Sequence, residues 1–570
     1  MNAELLFRHF DRITDAQDAV PRLRRFVLDL AVRGKLVEQE PRDEPASGLI
    51  QRIQREKIAL IKSGEARKEK SLPKLDESEA PFLIPNGWRW SQLAEIGFIN
   101  PRNAAEDQSP ASFVPMSMIS AEYGVANSDD IRPWGEIKSG FTHFAEGDVG
   151  LAKITPCFEN GKSTVFRNLK GGIGAGTTEL HIVRPVLMSA DYILIFLKSP
   201  HFIESGIPKM TGTAGQKRVS TDYFANTPFP LPPLAEQHRI VAKVDELMAL
   251  CDRLEAAQRE RECRRDRLAA STHHHLNNGT APEALHTHAR FFVNHLPRLT
   301  ARPDQINQLR QTILTLAVQG KLVPQNQLDE SAAALLKRLK AEIQEYSHKQ
   351  SITPFAAEAI DDCSLPFPGM RGWAWARLSN LFKVVTDGDH QPPPKEANGV
   401  AFLTIGNVTN GYLDFSDCRF VSQSYFDSLK DYRKPSNGDI LYTVVGATFG
   451  RPVLVETERA FCVQRHIAIL KPTREVDTKY IRLVLASPFV YEQAVRSTTG
   501  TAQPTIPLRP LRNFLVPVPP LAEQHRIVAK VDELMTLCDQ LEASLSAAQT
   551  ETSRLLESVL HHALQNPALA

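Results

Sequence analysis

Two stretches of the chain carry the same spacing of apolar residues. Ile240, Val244, Leu247, Cys251 and Leu254 fall four and three apart by turns, and so do Ile527, Val531, Leu534, Cys538 and Leu541. That alternation lays one apolar stripe along a helix and predicts a helix-helix seam. In the second copy the stripe continues through Leu545, Ala548, Leu555 and Val559, while in the first it meets Gln258, Arg261 and Arg265 before Leu268 restores it. Each helix opens with Pro-Pro-Leu-Ala-Glu-Gln, where proline suits the first turn and Glu236 or Glu523 suits the positive end of the helix dipole. Ahead of the helices lie β-leaning stretches, GDVGLAKITPCFENGKSTVF and NGDILYTVVGATFGRPVLV, whose Gly, Pro and Asn breaks predict short strands joined by turns. The run Tyr192 to Leu197 is too short to span a membrane and suits a buried strand or helix core.

The stripes belong to a repeat that covers most of the chain. PPLAEQHRIVAKVDELM is spelled at Pro232 to Met248 and again at Pro519 to Met535, 287 positions on. LRRFVLDLAVRGKLV at Leu23 returns as LRQTILTLAVQGKLV at Leu309. Trp88 and Trp90 match Trp373 and Trp375, and these pairs are expected in shared core because they head both modules. Gly147-Asp148 matches Gly438-Asp439, His181 matches His466, Ser199-Pro200 matches Ser487-Pro488, and Thr211-Gly212-Thr213-Ala214 matches Thr499-Gly500-Thr501-Ala502. Two half-molecules in one chain imply an internal pseudo-twofold repeat, akin to a fused dimer. With the twofold axis across the helices, the two seams pair antiparallel. The expected fold is α+β: two α/β modules joined by two long helices forming an antiparallel coiled coil. Its parts are a helical region at 1–80, a module at 81–231, a central helical region at 232–350, a second module at 365–518 and a closing helical region at 519–570. Residues 57–79 read as a solvated helix end and loop, and 277–303 as a turn-like connection. Within the modules, 101–173 and 388–455 keep only scattered landmarks, so two equal frames present two different surfaces.

Composition narrows the setting. A chain of 570 residues with 42% hydrophobic and 23% charged residues is an ordinary multidomain protein, and a net charge of +1 confines any nucleic-acid surface to local patches. Seven cysteines without a Cys-x-x-Cys pair fit free thiols in a reducing compartment. The opening residues are charged from Glu4 onward and lack an apolar core, so a cytoplasmic protein without a membrane partner is expected. Catalytic motifs fail on spacing. Gly161-Lys-Ser-Thr resembles the end of a phosphate loop, but Pro156 stands where the upstream glycine belongs and supplies no N–H to an anion. GGIGAG at Gly171 to Gly176 lacks the dinucleotide spacing and reads as a glycine hinge between strands. No Asn/Asp-Pro-Pro-aromatic motif marks an amino-methyltransferase. His273, His274, His275, His286, His288 and His295 have no cysteine partners at zinc spacing and read as linker. Cys251 and Cys538 read as small apolar packing.

The order of a GKLV helix, a variable module and a PPLAEQ-x-x-IV helix, given twice, resembles the specificity subunit of type I restriction-modification enzymes. The resemblance implies a noncatalytic DNA-recognition protein with two target-recognition domains, each reading one half of a split, asymmetric sequence in double-stranded DNA. It implies that the conserved helices act as spacer and dock two methyltransferase subunits, and that restriction subunits complete the assembly. No cofactor is then expected on this chain; S-adenosylmethionine belongs to the methyltransferase subunits, and ATP and Mg2+ to the restriction subunits. The candidate DNA-binding residues are polar or basic and lie in loops: Lys153, Thr155, Asn160, Lys162 and Ser163 with Thr211, Thr213, Gln216, Lys217 and Arg218 in the first module. In the second they are Thr443, Thr448 and Arg451 with Arg496, Thr498, Thr499 and Gln503. Arg and Lys can bind phosphate or guanine, and Gln or Asn an adenine edge. A bivalent coiled-coil adaptor for protein or carbohydrate ligands shares the same repeat, and a self-sufficient nuclease or methylase lacks its motifs.

Overall fold

The computed structural model describes residues 16, 18–67, 72, 73, 75, 80–279, 282–361, 363, 365–367, 369–388, 394–500 and 503–565. Two compact units emerge, one built from Met1–Glu262 with Ala548–Ala570 and the other from Cys263–Ala547.

The first unit contains helices α1 (Ala19–Val32), α2 (Ala46–Lys62), α3 (Ala190–Lys198), α4 (Pro200–Gly206) and the start of α5 (Leu234–Asn278). A four-stranded antiparallel sheet runs in the order Gly97–Ile99, Leu180–Pro185, Val149–Ala152, Ser163–Val165. A second sheet, Asp130–Pro133, Pro110–Val114, Ile173–Gly176, Thr142–Ala145, includes one parallel pairing. The run from Tyr192 to Leu197 is helical and buried: Ser189 caps α3 by accepting from the Tyr192 N–H, and hydrophobic side chains surround the helix. The expected hinge at Gly171 is a turn, with Gly171 and Gly172 at φ 67° and 74°, followed directly by a strand. A Cβ on Gly174 would lie 2.4 Å from the Phe144 ring, so the glycines there let aromatic side chains cover the strand.

The second unit repeats this plan with α6 (Pro282–Asn294), α7 (Pro303–Val318), α8 (Ala332–Gln350), α9 (Thr478–Ala486), α10 (Pro488–Arg496) and the start of α11 (Leu521–Gln565). Its main sheet is Phe382–Asp387, Ile467–Pro472, Ile440–Thr443, Pro452–Leu454, beside a three-stranded sheet of Arg419–Val421, Val400–Leu403 and Phe461–Val463. Antiparallel pairs close each module at its base, Arg89–Ser91 with Phe229–Leu231 and Ala374–Arg377 with Leu515–Val518.

The repeated PPLAEQ phrase is an internal clamp. Glu236 and Gln237 are buried; Glu236 accepts from Trp88 Nε1 at 3.0 Å and Gln39 Nε2 at 2.8 Å, while Gln237 donates to the Pro232 carbonyl and accepts from the Ser189 N–H. Tyr192 Oη donates to the Pro230 carbonyl at 2.9 Å. In the second unit Gln524 donates to the Pro519 carbonyl, accepts from the Asp477 N–H, and Tyr480 Oη donates to Pro517. These bonds tie the strand exit, the helix start and the module to one another.

The seam residues need correction on one point. Ile240 and Val244 are buried in the first unit's own core, with Leu247 packed against it, and Ile527 and Val531 sit likewise in the second with Leu534 and Leu541. The module and the GKLV helix supply that cover: Arg24 on α1 bonds Asp252 and Glu255, and Arg310 on α7 bonds Asp539 and Glu542. Cys251 and Cys538 are buried at these contacts, with their thiols raised by burial, and Leu254 is half-buried. The first turns of each stripe are therefore spent inside their own unit.

The turn-like connection is also corrected. Residues 282–294 form α6, and Leu296–Leu299 a further helical turn. Leu285, Ala289, Phe292 and Leu296 repeat at helical spacing and cover Ala269, Leu276 and Leu299. His273 is buried there, hydrogen-bonded through Nδ1 to Thr312 Oγ1 at 2.9 Å. The expected solvated helix end is found, with α2 ending at Lys62 and residues 62–65 exposed, except at Lys57, whose Nζ donates to the Ala94 and Gly97 carbonyls; residues 68–71, 74 and 76–79 lie outside the described residues. The lysine of each GKLV motif caps a long helix: Lys35 Nζ donates to the Leu564 carbonyl near the end of α11, and Lys321 Nζ to the Asn277 and Gly279 carbonyls at the end of α5.

Candidate nucleic-acid interface

Sheet register decides which residues of the two modules correspond. Ala152 pairs with Leu180 in the first, and Thr443 with Ile467 in the second. His466 therefore stands where Glu179 stands, and the matched letters His181 and His466 are two places out of step. The burial agrees, since His181 lies within its sheet, bonded to the Val219 carbonyl at 3.1 Å and stacked on Phe224. Burial pushes its imidazole down to about 4.

The start of the first loop group in the first module meets the second group. Thr211 and Arg218 pair as a tight hairpin, Ile154 pairs with Arg218, the Thr155 N–H donates to the Lys217 carbonyl at 2.9 Å, and the Val219 N–H donates to Lys153 at 2.9 Å. Residues 153–155 and 211–218 thus lie side by side although far apart in sequence. The second module repeats the backbone: Thr499 pairs with Thr505, Val445 with Thr505, the Gly446 N–H donates to the Pro504 carbonyl, and the Ile506 N–H donates to Val444. Lys153 corresponds to Val444, and Lys217 to Pro504. The described backbone pairings match, in a hairpin one residue shorter in the second module, and the side chains differ.

The Thr-Gly-Thr-Ala match has a conformational cause. Gly212 and Gly500 have φ of 128° and 87°, and a Cβ on Gly212 would lie 2.9 Å from the Gln216 carbonyl oxygen. Thr501 and Ala502 lie outside the described residues.

Candidate side chains divide by their partners. Thr211, Thr213, Gln216 and Lys217 are exposed on the hairpin, and Asn160 is exposed on the turn after Thr155. Thr155 Oγ1 donates to the Lys217 carbonyl, and Lys153 is half-buried beside Glu179. Arg218 is committed elsewhere, with Nε and Nη2 on the Glu179 carboxylate and Nη1 on the Gln216 carbonyl. That ion pair holds the Glu179 carboxyl below its ordinary range and makes Arg218 a brace for the hairpin. Lys162 turns to the Met116 carbonyl, and Ser163 is buried in its strand.

In the second module, Arg451, Thr499 and Gln503 are exposed, and Thr448 and Thr498 are half-buried. Arg451 Nη1 donates to the Thr409 carbonyl. Thr443 is fully buried, its hydroxyl bonded to the Thr448 carbonyl and the Arg451 N–H, and so holds the loop rather than facing a ligand. Arg496 ends α10 three residues before Thr499, and its guanidinium lies beside the Glu492 carboxylate. Sequence reasoning missed Gln464, Arg465 and His466, which precede the strand Ile467–Pro472 and adjoin the platform through the Val444 N–H to His466 carbonyl bond. Correct strand register was the signal that would have found them.

Among the described residues no group of three or more His, Cys, Asp or Glu could hold a metal, and no helix is long and apolar enough to cross a membrane.

Comparison with known proteins matches residues 178–262 and 370–548 to the type I restriction modification DNA specificity domain. The EcoAI specificity subunit of Escherichia coli is 34% identical over 555 residues, covering 96% of this chain and 94% of that protein. The EcoEI specificity subunit of the same species is 36% identical over 560 residues with the same coverages of 96% and 94%. Among solved structures, the HsdS subunit from Thermoanaerobacter tengcongensis is 21% identical, with a TM-score of 0.45 over 86% of this chain and 99% of its own. Coverage by relatives above 30% identity spans both modules and both long helices, and on that ground this chain belongs to the specificity subunits of type I restriction enzymes.

Proposed function

We propose that this chain selects the DNA sequence on which a type I modification and restriction assembly acts, each module reading one part of a split, asymmetric site in double-stranded DNA. The carrying observation is the loop pair at Ile154 with Arg218 and at Val445 with Thr505, where matching backbone pairings present unequal side chains. Matching pairings suit one duplex backbone, and unequal side chains suit different base edges. The chain itself performs no chemistry in this reading. Methylation belongs to partner subunits holding S-adenosylmethionine, and cleavage to subunits using ATP and Mg2+.

A second observation favours two copies of one methyltransferase partner. Once the clamp has taken the buried positions of the repeated phrase, its exposed residues still match: Ala235 with Ala522, His238 with His525, Ala242 with Ala529 and Glu246 with Glu533. Leu250 and Leu537 follow, 43% and 52% exposed. Packing inside a unit does not require identity at solvent-facing positions. An identical partner at both does.

Methylome sequencing of cells with and without the gene tests the reading: one two-part motif should disappear on deletion. Exchanging 81–231 for the corresponding module of a relative should change one part of that motif and leave the other. A change in both parts would sink the two-reader account, and a saturated complex holding one methyltransferase subunit by native mass spectrometry would sink the two-partner account.

A further inference from the structure

In the first module the platform is locked by the ion pair of Glu179 with Arg218. The corresponding places in the second module are His466 and Thr505, so the brace is absent and the space beside the hairpin is served by a different set. Gln464 Nε2 lies 2.9 Å from His466 Nδ1, and Arg465 Nε lies 3.3 Å from His466 Nε2. A neutral imidazole has one N–H and one acceptor nitrogen. With Arg465 donating to Nε2, the proton sits on Nδ1, and Gln464 must turn its amide oxygen toward it. The His466 imidazole is held below its ordinary value by burial and then by the Arg465 charge, which keeps it the acceptor this chain of bonds needs.

Among the described residues, no partner takes the Nη1 or Nη2 of Arg465. Its Nε is engaged by the ring, the residue is exposed, and the Nη1 and Nη2 pair forms the planar fork that fits O6 and N7 of guanine. The position is fixed from behind as well. The Gln464 N–H donates to the Leu403 carbonyl, the His466 carbonyl accepts from Val444, and the Ile467 N–H donates back to Gln464.

We propose that Arg465 is a specificity-determining residue of the second module, reading a guanine in its part of the DNA site, with His466 and Gln464 as positioning residues that hold the guanidinium in plane. This rests on the reading of the chain as a DNA-specificity subunit. In the first module the corresponding residues are Thr178, Glu179 and Thr177, none of them a cation, so the two modules differ in kind at this position.

The test uses the full chain co-purified with its methyltransferase subunit and a randomised duplex library, with bound DNA sequenced. The wild-type complex should enrich one two-part sequence with a guanine in the part read by the second module. Arg465→Ala should lose preference for that guanine by about 5- to 150-fold, the range of a bidentate base contact, and leave the other part of the site unchanged. Arg465→Lys, which keeps the charge and lacks the fork, should fail to restore it. His466→Ala should weaken the same preference without creating another. If Arg465→Ala keeps the wild-type profile, or loses affinity equally for every sequence as a phosphate contact would, the proposal is overturned. Should that variant not fold, Arg465→Lys decides, and full retention of the guanine preference overturns the proposal. A wild-type complex that enriches no two-part sequence overturns the functional reading itself.

Discussion

Arg218 and Lys217 are neighbours of like charge with opposite fates. Arg218 spends its donors on Glu179 and on the hairpin's own backbone, while the exposed Lys217 has its backbone carbonyl, not its ammonium, in the fold. Lys217→Ala should therefore weaken binding to all DNA sequences about equally and lower the slope of log affinity against log salt by about 1, as loss of one phosphate contact does. Titrations of a cognate and a scrambled duplex at several salt concentrations check this; a loss confined to the cognate duplex would make Lys217 a base reader. His181 carries a pH prediction. Its folded value is depressed to about 4 from an ordinary 6.5, so the unfolded chain takes up the proton first as pH falls. Its contribution is fully present above pH 6.5 and is lost as pH falls toward 4, on the order of 3 kcal/mol in all. His181→Gln keeps a donor for the Val219 carbonyl without titrating, and should flatten the fall in urea midpoint of the first unit across that window.

Elements were legible in the sequence to the extent that their evidence is local. Both long helices announce themselves by stripe and by capping prolines, and the repeat announces the duplicated frame. Partners of the stripe were not legible, because Ile240 and Val244 have the same spacing whether they face another long helix or their own module. The helix α6 was hidden by its histidines, although Leu285, Ala289 and Phe292 carry the helical interval. Register within the sheets was mistaken by two residues, because a shared His between strands is a weaker mark than the pairing of Ala152 with Leu180. The meeting of 153–155 with 211–218 had no local sign at all. At this scale the GKLV lysines make a clear prediction. Lys321→Ala removes the cation from the carbonyl end of α5 and should cost about 0.5–1 kcal/mol, with faster amide exchange at Leu276 to Asn278 and little change at Leu234 to Val244. Uniform exchange along the helix would refute the capping role.

At the scale of the molecule, each unit is completed by chain from the other repeat. Leu556, Val559 and Leu560 of α11 are buried against Ala16 and Ala19, with Leu23 and Phe26 beside them, all within the first unit. Removing 548–570 uncovers that stripe. Burial of three such side chains is worth roughly 5–8 kcal/mol as an upper estimate, comparable to the whole stability of an ordinary domain. The truncated chain should show its first unit melting at least ~10 °C lower, with exchange protection lost in α1, while α7 and α8 keep theirs. An unchanged first-unit transition would show that α11 is dispensable there.

The same contact sets an order of events in synthesis. A ribosome delivers residues 16–26 early and residues 556–560 more than five hundred positions later, so the two sides of one small core are separated by nearly the whole time of translation. Domains ordinarily fold as units while the chain emerges. Here the earlier unit must wait for the later one to be made, holding an apolar helix face open meanwhile, and a chain released prematurely anywhere in the second repeat leaves the first unfinished as well.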